Sequence, residues 1–299
     1  MPLGSLPYGD EPFGAPLAWS SVVPAGASER LLLLSPQDSD QATISASSVV
    51  ATLPAPNLQN VQPTRKWRSA GGVASLTITG LDVAANTLAL VGVNFTSSCW
   101  MRLRGAATLD GITDAPAIDT LLRSPWPGGV KPSARNWPQH TVLLRWDNES
   151  VLDFWKIDIV DSGVEYLEAG RLMMGRAWQP SDNWDLGGEP IAFDPRDVAA
   201  ETDRGHTFTD RKTLSAPRQF ELRITAGNRR EVLDGLAEMQ RLRGTWGDVL
   251  CCLDPGETTD AHLFTMQGRF LSGPRYAMPP LFDSGGNMIG AGILLREFL

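Results

Sequence analysis

Apolar and polar residues alternate with a period of two along much of this chain. Ala74, Leu76 and Ile78 interleave with Ser75, Thr77 and Thr79, and Met101 and Leu103 interleave with Arg102 and Arg104. Trp155, Ile157 and Ile159 share one face opposite Lys156 and Asp158. Such alternation predicts antiparallel strands with one face buried. Further short strands are predicted at 31–34, 42–50, 88–93 and 141–146. The run Leu88-Ala89-Leu90-Val91-Gly92-Val93 has no polar position, so its strand should be covered on both faces. Many short strands separated by turns predict a β-sandwich.

The pattern changes in the last third. Phe220, Leu222 and Ile224 alternate with Glu221, Arg223 and Thr225, and this strand leads into the one well-marked helix. Asn228 is a good N-cap with Glu231 three residues on, Val232, Leu236 and Met239 make an apolar stripe, and Gly244 supplies the stop. Strands at 248–253, 262–271 and 288–298 complete a small α+β domain. The chain therefore divides into an extended arm at 1–28, a sandwich at 29–178, a polar connector at 179–214 and the α+β domain at 215–299. The arm is rich in Pro and Gly with isolated Tyr8, Phe13 and Trp19, and it needs a partner surface. The connector is acidic, with Asp182, Asp185, Glu189, Asp194, Asp197, Glu201, Asp203 and Asp210.

At 299 residues the chain is long enough for two cores. A net charge of −8 argues against a nucleic-acid surface, and the densest basic pairs, Arg65-Lys66 and Arg229-Arg230, read as solvated patches. Three cysteines, Cys99 and the adjacent Cys251 and Cys252, cannot form a fully paired set and read as small apolar residues folded under reducing conditions. No run approaches the ~20 apolar residues of a membrane helix, and the N-terminal residues lack the pattern of a secretory signal.

Two segments carry a resemblance. Ala55-Pro56-Asn57-Leu58 and then Pro63-Thr64-Arg65-Lys66-Trp67-Arg68-Ser69, followed by the apolar run at 88–94, resemble the opening of the galactose-binding-like, discoidin-type sandwich. More narrowly, they resemble a group of bacteriophage tail proteins with a degenerate copy of it. Residues 166–175 resemble the closing strand of that domain, and the order of elements after 215 resembles the tube-type fold of phage distal-tail proteins. The implied fold is mainly β: a galactose-binding-like jelly-roll followed by a tail-tube-like α+β domain with one helix. The implied role is a structural component of a phage tail tip. Its partners would be copies of itself in a ring together with tail-tube, hub and tape-measure proteins. It would be made in the bacterial host cytoplasm and reside in the virion. The alternative is a carbohydrate-binding module for host surface glycans.

Candidate chemistry is sparse. His140, His206 and His262 are far apart in sequence, and no H-E-x-x-H, zinc spacing or G-x-S-x-G elbow occurs. Asp203-Arg204-Gly205-His206 is the nearest polar constellation. The acidic connector lacks D-x-D-x-D-G spacing, and Gly290-Ala291-Gly292 lies within an apolar strand instead of a phosphate-binding turn. No catalytic residue, cofactor or metal is therefore expected. Tryptophan is the informative residue: eight of ten lie between 67 and 184. Trp67, Trp146 and Trp155 are expected in the core. The irregular stretch 105–140 holds Trp126 and Trp137 on Pro/Gly-rich loops. It supplies the candidate glycan or partner contacts Trp126, Arg135, Asn136 and Trp137, local loop packing being the other reading of the two rings.

Overall fold

The computed structural model describes residues 30–132, 140–185, 191–194, 198–201, 207–210, 216–273, 275–277 and 288–298. The arm at 1–28, the candidates Arg135, Asn136 and Trp137, and the Asp203–His206 constellation lie outside them. The protein is mainly β. Strands Thr43–Ala46, Val73–Thr79, Phe154–Asp161, Cys99–Ala106 and Ile118–Asp119 form, in that spatial order, a five-stranded antiparallel sheet. A smaller antiparallel sheet of Arg171–Gly175, Ala84–Val91 and Thr141–Val151 lies over it. The alternation read from the sequence builds the core between them. Leu76, Ile78, Met101, Leu103, Ile157 and Ile159 come from the large sheet, and Leu88, Leu90, Val142, Leu144, Leu172 and Met174 from the small one. Trp67, Trp146 and Trp155 are all buried in this core.

The residues that carry the family resemblance turn out to anchor this sandwich. Ala55–Gln59 is a 3-10 turn whose Asn57 amide donates to Lys66 O at 2.8 Å. Trp67–Arg68 then pairs with Glu168–Ala169. Glu168 accepts from Lys66 Nζ at 3.0 Å and from Arg68 Nε at 2.7 Å, and Arg68 also lies over the Tyr166 ring. The basic pair at 65–66 is thus partly a clamp and not wholly a solvated patch. Gly170 is obligatory here, because a Cβ would stand 2.1 Å from the Pro63 carbonyl oxygen.

A third sheet belongs to the α+β unit, in the order Leu32–Leu34, Val249–Cys252, Thr265–Phe270, Met288–Glu297, Arg218–Asn228 and Ile191–Phe193. Its membership corrects the expected grouping of 31–34 with the sandwich, since Leu32 pairs with Cys252 and Leu34 with Leu250. The physical reason is visible in composition. Leu31, Leu32, Leu33 and Leu34 are apolar at every position and need cover on both faces, which this sheet provides. The connector is likewise more ordered than expected: Ile191–Phe193 extends the sheet, and Val198–Glu201 pairs with Thr207–Asp210.

The helix begins where its cap predicts, with Asn228 Oδ1 accepting from Arg230 N and Glu231 N. It runs through Glu238–Arg243 and stops at Gly244, φ +55°. Its middle, Val232–Ala237, is widened to π geometry. Trp178 packs there, donating Nε1 to Glu231 O, and only a glycine at 235 leaves room, a Cβ being 2.0 Å from the indole. Val232, Leu236 and Met239 cover one face of the third sheet with Leu33, Val249, Cys251, Leu222 and Ile224.

The other face of the third sheet meets the sandwich. Leu32, Leu34, Leu250 and Cys252 pack on Ala89, Val91, Leu143 and Met173. The run at 88–93 is covered on both sides for that reason. The result is four layers: large sheet, small sheet, third sheet and helix. Beside this seam lies a buried charge cluster. Arg171 donates to Asp40 (2.5 and 2.9 Å) and to Asp248 (2.8 and 3.1 Å), and Asp248 also accepts from Arg243 at 2.6 Å and Gln267 at 2.7 Å.

Candidate functional site

The stretch at 105–132 is where the sandwich carries groups not consumed by packing. It contains a helical turn at Gly111–Asp114, the short strand Ile118–Asp119 and a tight turn at Pro127–Gly129. Arg123 and Met101 exchange both backbone hydrogen bonds, at 2.7 and 2.9 Å. Directly paired residues present their side chains on one face of a sheet, so Arg123 stands beside the core residue Met101. Its guanidinium is 1% exposed, and Nε, Nη1 and Nη2 have no hydrogen-bond partner. Burial pulls its pKa down to about 10, with no carboxylate contributing.

Other buried guanidinium groups are treated differently. Arg171, Arg218 and Arg243 each hold a carboxylate, Arg218 donating to Glu297 at 2.6 Å. Among the described residues, Arg123 is the guanidinium whose three nitrogens are all buried and unbonded. The backbone leading to it is unusual as well: Leu121 is a non-glycine residue at φ +56° and is tied by its N–H to Asp119 Oδ1.

Trp126 follows three residues later. Its indole N–H donates to Thr96 O at 2.7 Å, and the residue is 1% exposed within the sandwich core. Of the two sequence readings for this ring, local packing and ligand contact, the structure shows the packing. Two consecutive positive-φ glycines, Gly128 and Gly129, turn the chain sharply and let Trp126 fold inward while Val130 stays out. Around the ring stand Lys131, whose Nζ is 5.8 Å from its centroid, and His140, edge-on at 6.0 Å. Burial, with Lys131 and His262 nearby, holds the His140 imidazole at a pKa of about 4, and its Nδ1 is unbonded. Burial also lowers the Lys131 ammonium, against the attraction of Asp161. Asp161 itself accepts from Thr96 N, Thr96 Oγ1 and Gly163 N at 2.6, 2.6 and 2.9 Å.

An ammonium and an imidazole thus stand beside the indole. These groups hold oxygen-rich ligands by donating hydrogen bonds, and the described residues place no nucleophile with a base here. Among the described residues no group of His, Cys, Asp or Glu could hold a metal ion, and no helix is long and apolar enough to cross a membrane. Arg123 carries no local signal: it sits in Leu121-Leu122-Arg123-Ser124, without period or motif. His140 was among the histidines noted, and the structure brings it to Trp126 from 14 residues away in sequence.

No family model matches this chain, and no curated protein matches it. Among solved structures, the family 32 carbohydrate-binding module of Clostridium perfringens NanJ, in complex with galactose, is 11% identical over 48% of this chain and 98% of that one, with a TM-score of 0.34. Chitosan-binding module 1 of a Paenibacillus sp. IK-5 chitosanase/glucanase is 13% identical over 45% and 95%, with a TM-score of 0.31. The lectin domain of lectinolysin, complexed with Lewis B antigen, is 10% identical over 46% and 93%, with a TM-score of 0.32. Likeness at this level says nothing about what this chain binds.

Proposed function

We propose that this chain is a binding protein without catalytic activity, and that the 105–132 end of its sandwich recognises carbohydrate. The observation that carries this reading is the Trp126 indole on that stretch, with Lys131 Nζ 5.8 Å from its centroid and His140 edge-on at 6.0 Å, both polar groups beside one aromatic ring. Sugars present many acceptor oxygens at fixed spacing, and a cluster of unspent donors on a rigid scaffold suits them. The four-layer core supplies that rigidity. A glycan array probed with the full chain tests the reading. Binding to a defined saccharide, weakened by Lys131→Ala, is the expected result; no binding to any glycan, including bacterial surface polysaccharides, overturns it.

A second reading keeps the role in a phage tail tip. It is favoured by the seam of Leu32, Leu34, Leu250 and Cys252 against Ala89, Val91, Leu143 and Met173, which makes sandwich and α+β unit one stiff building block. In that reading copies assemble in a ring with other tail proteins, and the protein resides in the virion. Negative-stain images of the purified chain showing closed rings support it. A monomer at all concentrations overturns it.

A further inference from the structure

We propose that the open edge of the third sheet, Ile191–Phe193, is covered by this chain's own N-terminal arm, which adds residues 17–23 there as an antiparallel strand. The edge has the hydrogen-bonding groups for it. Asp194 N donates to Pro217 O at 2.9 Å and Ala192 pairs with Gln219, so alternation turns the Ala192 amide and carbonyl inward and leaves those of Ile191 and Phe193 pointing outward. No strand of the described residues pairs with that outer side. The three residues carry none of the charges that usually blunt an edge, and Phe193 is 54% exposed. Pro190 and Pro195 bound the edge, so a short partner strand is enough to cover it.

The arm holds one fitting run. Leu17-Ala18-Trp19-Ser20-Ser21-Val22-Val23, between Pro16 and Pro24, is its longest stretch without Pro or Gly. As a strand it puts Leu17, Trp19 and Val23 on one face with Ser21. That face continues the apolar side of the edge, where Ile191 packs against the core containing Phe220 and Phe193 points the same way. The root of the arm sets its reach. Arg30 Nη1 donates to Pro180 O and Ser181 O at 3.3 and 3.0 Å, and Leu31 N donates to Asn183 Oδ1 at 2.9 Å. Two residues on, Asp185 N donates to Arg223 O at 2.7 Å. Arg223 is in step with Gln219, so the arm departs beside the same edge of Arg218–Asn228 that Ile191–Phe193 occupies. From Arg223 to Arg218 that edge runs about 17 Å, and residues 24–29 extended cover about 20 Å. The arm retreats toward residue 17 in the direction in which the edge advances toward Phe193, which makes the pairing antiparallel. An edge this close to the arm's root meets the chain's own arm at a far higher effective concentration than a neighbour's.

Hydrogen exchange of the full chain read by mass spectrometry, with sedimentation velocity at the same concentrations, tests this proposal. The variant carries Ser20→Pro and Ser21→Pro together. Successive residues face opposite sides of a strand, so one of the two prolines removes an inward N–H in any register. In wild type the amides of 17–23 should exchange at least about tenfold slower than in an unstructured peptide, in a monomer and at every concentration. The double variant should lose that protection and exchange faster at Ile191 and Phe193, while Val249–Cys252 stays as slow as in wild type. Unprotected amides at 17–23 in wild type overturn the proposal. So does protection there whose loss in the variant leaves Ile191 and Phe193 unchanged, since the arm then lies elsewhere. Protection that exists only in an oligomer and vanishes on dilution also overturns it, because a neighbour's arm then fills the edge.

Discussion

Replacing Asp248 with alanine should destabilise both halves of the molecule at once. Asp248 is fully buried and accepts from Arg171 Nε and Nη2, from Arg243 Nη2 and from Gln267 Nε2. Without it, two buried guanidinium groups face a single carboxylate, Asp40, to which Arg243 stands at 3.5 Å. One cation is left uncompensated, which costs about 3–5 kcal/mol when a partner is removed from a buried pair. Gln267 loses an acceptor as well, adding about 1 kcal/mol. The sum, about 4–6 kcal/mol, is a large part of the ~5–15 kcal/mol that holds a typical domain together. In the wild type burial would lower the Arg171 pKa, but hydrogen bonds to Asp40 and Asp248 override this and raise it. Asp40 and Arg171 belong to the sandwich side of the cluster and Asp248 and Arg243 to the α+β side. Urea unfolding followed by far-ultraviolet circular dichroism and by tryptophan fluorescence should therefore show one transition, shifted as a whole. As a control, Arg241→Ala, which breaks an exposed pair with Glu238, should leave the unfolding midpoint nearly unchanged. A loss below about 1 kcal/mol for Asp248→Ala, or a shift confined to one of two separate transitions, would refute the reasoning.

Three further outcomes are expected. Gly170→Ala should destabilise by several kcal/mol, about 2 or more, because its Cβ collides with the Pro63 carbonyl, whereas Gly71→Ala meets nothing within 4 Å and should be near neutral; midpoints of urea unfolding distinguish them. Cys99, Cys251 and Cys252 are buried with thiol pKa values raised by burial, Cys252 to about 12, so a thiol-reactive chromophore should label none in the native protein and all three in denaturant. His140 has a folded pKa of about 4, below its ordinary 6.5, so the unfolded chain binds the extra proton and stability should fall as pH drops from about 6.5 to 4; His140→Gln should flatten that dependence in unfolding midpoints measured across the window.

Much of the fold was legible in the sequence because period-two alternation is imposed directly by a sheet with one wet face. The strands Val73–Thr79 and Phe154–Asp161, and the Asn228 cap, lie where the residues place them. The all-apolar run at 88–93 correctly announced two covered faces but not what covers them. The same signal in Leu31–Leu34 was assigned to the nearer domain, since periodicity carries no information on which distant strand completes a sheet. The candidate site was harder. The Pro and Gly residues around Trp126 mark a loop but do not say whether its ring packs or stands out, and the consecutive glycines turn it inward. Arg123 matters through what does not surround it, and a missing counter-charge leaves no trace in local sequence.

The pairing of Leu32–Leu34 with Val249–Cys252 means that the sandwich is inserted inside the α+β unit, between two adjacent strands of one sheet. On the ribosome this has a cost in time. Leu32 emerges 220 residues before its partner Cys252, an interval of roughly 10–40 s at elongation rates of about 5–20 residues per second. Throughout that wait four successive leucines have no sheet to join, and the growing polypeptide must keep them from sticking to other nascent chains. The α+β unit cannot be completed on its own, since cutting anywhere within the sandwich separates it from its edge strand.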